Sequence, residues 1–222
     1  MQPAARKLAL FPHLADADFD QACSAMLQKF QRHGHRQSEW AAVDRLCQHE
    51  ATVLRITKAL PLHPSEPDAS SETEERELAE DDDEVAQTRT SPAAAVHYDV
   101  VLSASYRVPV LYFTVVDAHQ HRYPLTAETL HACVMPPACR AQAEHGGVLG
   151  GVTVTDHPAT NQPAFFVHPC RTAQVIEASA SGRDLTAYGY LVLWMGALGQ
   201  CVGLNVPMAL VTQDLEVKQA PL

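Results

Sequence analysis

Two consecutive segments rich in β-branched and aromatic residues constrain the fold of this chain most strongly. They cover residues 96–105 and 107–116, and this composition is typical of strands that lie in a half-buried sheet. Pro109 has no N–H group to donate to a neighbouring strand, so it predicts a bulge or an edge position within the second segment. The chain is therefore expected to be built around a sheet.

Helical periodicity appears before these strands. Apolar residues between Phe19 and Phe30 recur at helical spacing, which predicts a helix with one apolar stripe lying on the sheet. Asp16 or Asp18 is the predicted N-cap, and Gly34 is the predicted end.

The remaining segments complete an α+β order. Further strands are predicted over residues 38–43, 52–58, 152–154 and 163–167, and further helices over residues 126–136, 171–178 and 185–199. Thr126 is the predicted cap of the first of these helices. The sequence therefore predicts an α+β fold, with an antiparallel sheet flanked by helices.

Acidic residues are concentrated in one stretch of the chain. The 222 residues include 26 acids and 16 bases, but eleven acids and one base lie between Glu66 and Glu84, which leaves 15 of each elsewhere. The sequence predicts one domain, residues 1–222, with residues 60–95 as an acidic, poorly ordered insertion. A net charge of −10 argues against a nucleic-acid partner, which attracts basic surfaces.

The distribution of apolar residues and cysteines predicts a cytoplasmic protein. The uncharged stretch at residues 185–213 contains only 13 uninterrupted apolar residues, 187–199. A membrane span needs about 20, so a core helix is predicted and stable membrane insertion is not. Pro12 stops an N-terminal apolar run after four residues, which argues against a secretory signal. Six cysteines without a Cys-x-x-Cys pair predict free thiols in a reducing compartment.

Cys170 is the first candidate for chemistry. It follows the predicted strand 163–167 and precedes the predicted helix 171–178. There the partial positive charge of the helix N-terminus and the side chain of Arg171 would favour a thiolate. A thiolate at this position could attack an ester or thioester carbonyl, or carry an acyl group itself. The alternative is a structural cysteine in the core, because free cysteines are commonly buried.

Two neighbours of Cys170 are weaker candidates. His168 is two positions away, about 6–7 Å along an extended chain, so a Cys–His pair does not form automatically. His168 and Pro169 are more simply a rigid turn that fixes the direction of Cys170. Asn161 could donate its amide to a developing oxyanion, or it could be an ordinary turn residue.

A zinc site is not favoured by the sequence. The possible ligands are His131, Cys133, Cys139 and His145. The spacing from Cys133 to Cys139 exceeds that of the cysteine pairs that usually bind zinc.

Three stretches resemble the autophagy ubiquitin-like-conjugating enzymes. They read YRVPVLYF at residues 106–113, QPAFFVHPC at residues 162–170, and WMG to VGLNVP at residues 194–207. The resemblance implies a ubiquitin-conjugating-like α+β fold, with Cys170 of the His-Pro-Cys tripeptide as the catalytic cysteine. General ubiquitin-conjugating enzymes have a His-Pro-Asn tripeptide before their cysteine. This chain has none, so the resemblance does not identify an oxyanion donor.

The resemblance also implies partners and a reaction. Such an enzyme accepts autophagy protein twelve as a thioester from the activating enzyme, autophagy protein seven, and transfers it to a lysine of autophagy protein five. No cofactor or metal is implied. The runs VPVLYF and VGLNVP favour this branch over the sister branch that lipidates autophagy protein eight. Edge pairing at residues 98–105 or the neighbouring strand is a hypothesis for recruiting the acceptor. A non-enzymatic adaptor with Cys170 buried and a Cys–His hydrolase remain alternatives.

Overall fold

A computed structural model of the chain describes residues 8–48, 51–60, 94–139 and 152–211. The acidic insertion predicted at residues 60–95 lies outside these ranges except at its two ends. His145 also lies outside them.

Six strands form one sheet in the order β1-β2-β3-β4-β6-β5, and every neighbouring pair is antiparallel. The strands are β1 (Ala42–Gln48), β2 (Ala51–Leu60), β3 (Ala94–Leu102), β4 (Pro109–Asp117), β5 (Val152–Asp156) and β6 (Pro163–Val167). Because β3 has a partner strand on each side, the hypothesis of edge pairing at residues 98–105 is wrong. The neighbouring strands β2 and β4 also have partners on both sides, so the hypothesis fails for them as well. The outer strands are β1 and β5.

The helices are α1 (Asp16–His33), α2 (Ala127–Thr129), α3 (Thr172–Ala180), α4 (Ala187–Trp194) and α5 (Met208–Val211). Turns of π-helix at Leu130–Val134 and Met195–Gly199 continue α2 and α4, and 3₁₀ turns occupy Gly34–Arg36 and Gln200–Val202. The predicted α+β class, an antiparallel sheet flanked by helices, is confirmed. In the described ranges, no helix has the length and apolar character required to cross a membrane.

The first strand begins later than predicted. Residues 38–41 form a connection because the Trp40 indole N–H donates to the carbonyl of Asn205 at 2.9 Å, and the Trp40 backbone N–H donates to the Gln37 side chain at 2.7 Å. The partner Asn205 is distant in the sequence, so a local pattern could not reveal this contact.

The central strands also differ in detail from the prediction. β3 ends at Leu102 because the chain turns at Arg107, whose φ is 52° and whose N–H donates to the Ser103 carbonyl at 2.9 Å. Pro109 is the first residue of β4 and faces Leu102 of β3, so it is neither a bulge nor on an outer strand. The first position of a strand tolerates proline because few ladder hydrogen bonds are lost there.

One of the two predicted helix caps is correct. The Thr126 side chain accepts a hydrogen bond from the Thr129 N–H at 3.2 Å. The N-cap of α1 is instead Ala15, because the Asp16 carboxylate is bound by the Arg107 guanidinium at 3.1 and 2.9 Å and Asp18 is buried in the first turn.

The helices cover one face of the sheet. Leu54 and Ile56 of β2 lie in that core and Val53 lies on the opposite face, as the predicted alternation required. The largest fully buried side chains of the helix-covered core are Trp194, Tyr98, Tyr190, Phe19, Phe113 and Leu14. The second face holds a small apolar cluster and a buried polar cluster, which lies at one end of β6.

Candidate active site

The turn between β6 and α3 carries Cys170. It is closed by the Thr172 N–H, which donates to the Pro169 carbonyl at 2.9 Å. Pro169 is buried, whereas His168 and Cys170 are exposed. No side chain of the described residues caps α3, so the partially positive N-terminus of that helix borders the turn. The structure therefore places Cys170 on the surface, and the alternative of a core cysteine is wrong.

The six thiols occupy different environments. Cys23 is fully buried in the core, and burial raises the pKa of its thiol to about 12. Burial also raises the pKa of the Cys133 thiol. Burial first, and then the neighbouring Cys139 side chain, raise the pKa of the Cys201 thiol. Only Cys170 and Cys47 are exposed. Cys47 lies within the outer strand β1, so these two thiols differ in local structure but not in access to solvent.

His168 contacts the backbone of Cys170. Its Nδ1 accepts the Cys170 N–H at 3.2 Å, so in this arrangement the ring hydrogen is on Nε2. The ring lies edge-on to Tyr106 and Phe166, with centroid distances of 5.7 and 6.0 Å. His168 is therefore placed to fix the turn, as the His-Pro interpretation predicted.

Sequence reasoning missed Tyr106 as a neighbour of this turn. Tyr106 belongs to the turn between β3 and β4, far from His168 in the sequence, and it is 44% exposed. The available signal was an aromatic residue between two predicted strands, but its partner depends on the strand order β3-β4-β6.

Asn161 lies at the opposite end of β6. It is in the connection between β5 and β6, where its φ is 52° and its N–H donates to the His157 carbonyl at 2.8 Å. The five residues of β6 separate it from the His168 turn, about 17 Å at ~3.3 Å per residue. The structure therefore does not bring Asn161 to Cys170, and its observed role is that of a turn residue.

A buried polar cluster holds this opposite end of β6. Arg55 donates two hydrogen bonds to the Asp99 carboxylate, both at 2.7 Å. His157, which is 3% exposed, places Nε2 at 3.3 Å from the same carboxylate, while its Nδ1 accepts the Ala159 N–H at 3.1 Å. Neither sequence motifs nor spacing identified this cluster, although an aspartate inside an apolar strand indicated a buried partner.

The charge of Asp99 is maintained by its partners. Burial alone raises the pKa of Asp99, but the hydrogen bonds from Arg55 and the proximity of His157 outweigh burial and lower it below 3.8. Among the described residues, the His157 Nε2 makes no hydrogen bond, so we attribute the lowering of the Asp99 pKa chiefly to Arg55. The same contact raises the pKa of Arg55.

Aromatic and imidazole rings connect the two ends of β6 along the helix-free face. Successive centroids are 4.8, 4.9, 6.0 and 5.7 Å apart in the series His157, Tyr112, Phe166, His168 and Tyr106.

The residues considered as zinc ligands from the sequence do not form a metal-binding cluster in the part of the chain that the structure describes. Across the described residues, no three His, Cys, Asp or Glu side chains are grouped in a way that could hold a metal ion. This statement covers His131, Cys133 and Cys139 but not His145.

The family model described as "Autophagocytosis associated protein, active-site domain" matches residues 18–209. The chain belongs to this family. The resemblance seen in the sequence is thereby confirmed over a longer range than the quoted motifs cover. The matched range of this autophagocytosis-associated family begins in α1, ends in α5 and includes Cys170.

Relatives within this family have a consistent name. The "Ubiquitin-like-conjugating enzyme ATG10" of Gibberella zeae is 35% identical over 138 residues, which is 61% of this chain and 57% of that protein. The Arabidopsis thaliana protein of the same name is 32% identical over 139 residues, 60% of each chain. A solved structure titled "Crystal structure of Autophagic E2, Atg10" is 12% identical, with 84% of this chain and 97% of that chain covered and a TM-score of 0.46. The chain thus matches less than two thirds of the length of these curated relatives.

Proposed function

We propose that the chain is a ubiquitin-like-conjugating enzyme of autophagy that carries its modifier as a thioester on Cys170. The observation that carries this proposal is the exposed thiol on a fixed turn in front of α3. The names of the relatives give independent support.

The proposed reaction has two acyl transfers. The Cys170 thiolate attacks the thioester carbonyl of the modifier on the activating enzyme, so a new C–S bond forms and the thiolate of the activating enzyme leaves. An acceptor lysine amine then attacks the same carbonyl. The C–N bond forms, the Cys170 thiolate leaves, and the amine loses its proton to solvent. Thioester exchange needs no redox partner and depends on thiolate nucleophilicity and leaving-group quality.

The proposed partners follow the branch that the motifs favour. We propose that autophagy protein seven supplies the modifier, autophagy protein twelve, and that autophagy protein five provides the lysine, all in the cytoplasm. Among the described strands, the outer strand nearest to Cys170 is β5, whose Val152 pairs with Val167 at the end of β6. Val154 of this strand is 48% exposed. We therefore transfer the hypothesis of edge pairing with the acceptor from residues 98–105 to β5.

The alternatives have less support. The adaptor required Cys170 to be buried, whereas it is exposed. The hydrolase required the His168 ring to activate the thiol, whereas Nδ1 accepts the backbone N–H of Cys170. The sister reaction differs in its modifier, so it is tested by offering autophagy protein eight instead.

Reconstitution tests this proposal. The protein is incubated with activating enzyme, ATP and modifier, and the products are separated on a non-reducing gel. We expect a thiol-sensitive adduct for the wild type and for Cys47→Ser, no adduct for Cys170→Ala, and a thiol-resistant oxyester for Cys170→Ser. Cys47→Ser is the matched control because Cys47 is the other exposed thiol. A thiol-sensitive adduct on Cys170→Ala would contradict the assignment.

A further inference from the structure

We propose that the groove between α1 and β1 is a docking site for an extended segment of another protein, with apolar side chains at alternate positions and acidic residues at one end. This site is at the opposite edge of the sheet from β5 and β6, so it is independent of the proposed thioester on Cys170.

The groove has a fixed apolar floor. It encloses about 730 Å³ between the second half of α1 and the outer strand β1. Trp40 and Val43 line it and are 2% and 5% exposed, so packing elsewhere in the protein holds them in place. Leu27 and Phe30 of α1 line it and remain half-buried. An apolar side chain that enters this groove would gain burial without ordering the floor first.

The edge of β1 supplies the backbone partner. β1 pairs with β2 along its whole length, and no strand of the described residues pairs with its other side. An outer strand presents unpaired N–H and C=O groups, which are a template for another strand. An edge strand beside an apolar groove suits a peptide that adds to the sheet, because main-chain hydrogen bonds supply affinity and alternate side chains enter the groove.

Cations at the end of α1 define the charge of the occupant. Arg32, His35 and Arg36 are exposed there, and His35 lines the groove. Desolvation lowers the pKa of His33, and the nearby cations, chiefly Arg36 and His35, lower it further. A segment with carboxylates at this end would bind better than a neutral or basic one.

Binding is measured with a fluorescein-labelled probe peptide, Asp-Glu-Glu-Val-Thr-Val-Thr-Val, by fluorescence anisotropy. Two peptides serve as controls: one of the same composition without the alternating pattern, and one with Lys-Lys-Lys in place of the acids. We expect the acidic alternating peptide to bind most tightly. Its binding should slow amide hydrogen exchange in β1 by at least ~10-fold, because edge pairing protects the strand that receives the peptide.

A charge-reversed variant tests the site. Arg32→Glu combined with Arg36→Glu should weaken the acidic probe roughly threefold to tenfold and should strengthen the lysine probe, which also shows that the variant is folded. The control pair Arg171→Glu with Arg183→Glu makes the same charge change near α3, far from the groove, and should leave binding within about twofold.

Several results would overturn the inference. These are the absence of probe binding at millimolar concentration, binding without protection of β1, and binding that the groove variant does not weaken. Protection of β1 without probe that disappears when the acids at residues 66–84 are changed to serine would identify the chain's own acidic stretch as the occupant. Protection that depends on protein concentration would identify a second copy. Both would contradict a foreign partner.

Discussion

The two ends of β6 are held in different ways. At one end, Cys170 is fixed by hydrogen bonds to its backbone and to the following turn, and its side chain remains outside. At the other end, the connection that carries Asn161 is fixed by the buried side chains of the Arg55, Asp99 and His157 cluster. The comparison shows how a position is fixed while its side chain stays accessible: at Cys170 the backbone is restrained and the side chain is left exposed.

Breaking the buried cluster should have the largest effect on stability. Asp99→Ala leaves the Arg55 guanidinium without its carboxylate, and we expect a loss of about 3 kcal/mol in the free energy of unfolding. This value is at the low end for a broken buried pair because the Arg55 side chain is 30% exposed. Urea denaturation measures the change. Glu177→Ala, an exposed acid on α3, is the control and should change stability by at most about 0.5 kcal/mol. Equal effects of the two variants would show that the cluster does not hold this end.

The same cluster should make the stability of the protein depend on pH in the acid range. The folded protein has a lowered pKa at Asp99, so the contribution of this carboxylate is fully present above the unfolded value of about 3.9 and is lost as the pH falls through the lower folded value. Below about pH 4, the unfolding free energy of the wild type should fall more steeply than that of Asp99→Asn, by at most about 1.4 kcal/mol per pH unit. Urea midpoints between pH 6 and pH 3 measure this difference. Parallel curves would contradict the assigned pairing.

Changing His168 should affect the other end of β6 and leave global stability nearly constant. His168→Ala removes the acceptor of the Cys170 N–H, and loss of one exposed hydrogen bond is expected to slow thioester formation by roughly threefold to tenfold. His168→Asn retains an acceptor for the N–H two residues later and should restore most of the rate. Single-turnover loading measures both. If Asn is as slow as Ala while the two proteins are equally stable, His168 acts through proton transfer and its positioning role is contradicted.

Substitution of Asn161 should have the smallest effect on the rate at which Cys170 is loaded. Asn161→Ala places alanine at a φ of 52°, which we expect to lower stability by about 1 kcal/mol, whereas Asn161→Gly should be tolerated. Both variants should load the modifier within about twofold of the wild-type rate. A large loss of loading in both would show that Asn161 reaches the reacting carbonyl after all.

The parts of the fold that depend on local signals were predictable. The residues of β6 were predicted without error, because a short apolar run bounded by prolines is readable from neighbours alone. The position of Cys170 between a strand and a helix was confirmed for the same reason. The Thr126 cap was likewise a local signal.

The parts that depend on distant partners were not predictable. The start of β1 depends on the contact between Trp40 and Asn205. Asn161 and Cys170 are nine residues apart in the sequence. Their distance in space depends on whether the chain between them is extended, as it is in β6. The contact of His157 with Asp99 could not be predicted, because it forms only where β2, β3 and the connection between β5 and β6 meet.

The most direct test of the central claim is to locate the modifier on the loaded protein. The loading reaction is quenched in acid and digested with pepsin at low pH, which preserves thioesters, and the peptides are identified by mass spectrometry. We predict that the C-terminal fragment of the modifier is linked to the peptide containing Cys170, and that the peptide containing Cys47 is unmodified. A fragment linked to Cys47 or to any other residue, with the Cys170 peptide unmodified, would contradict the account.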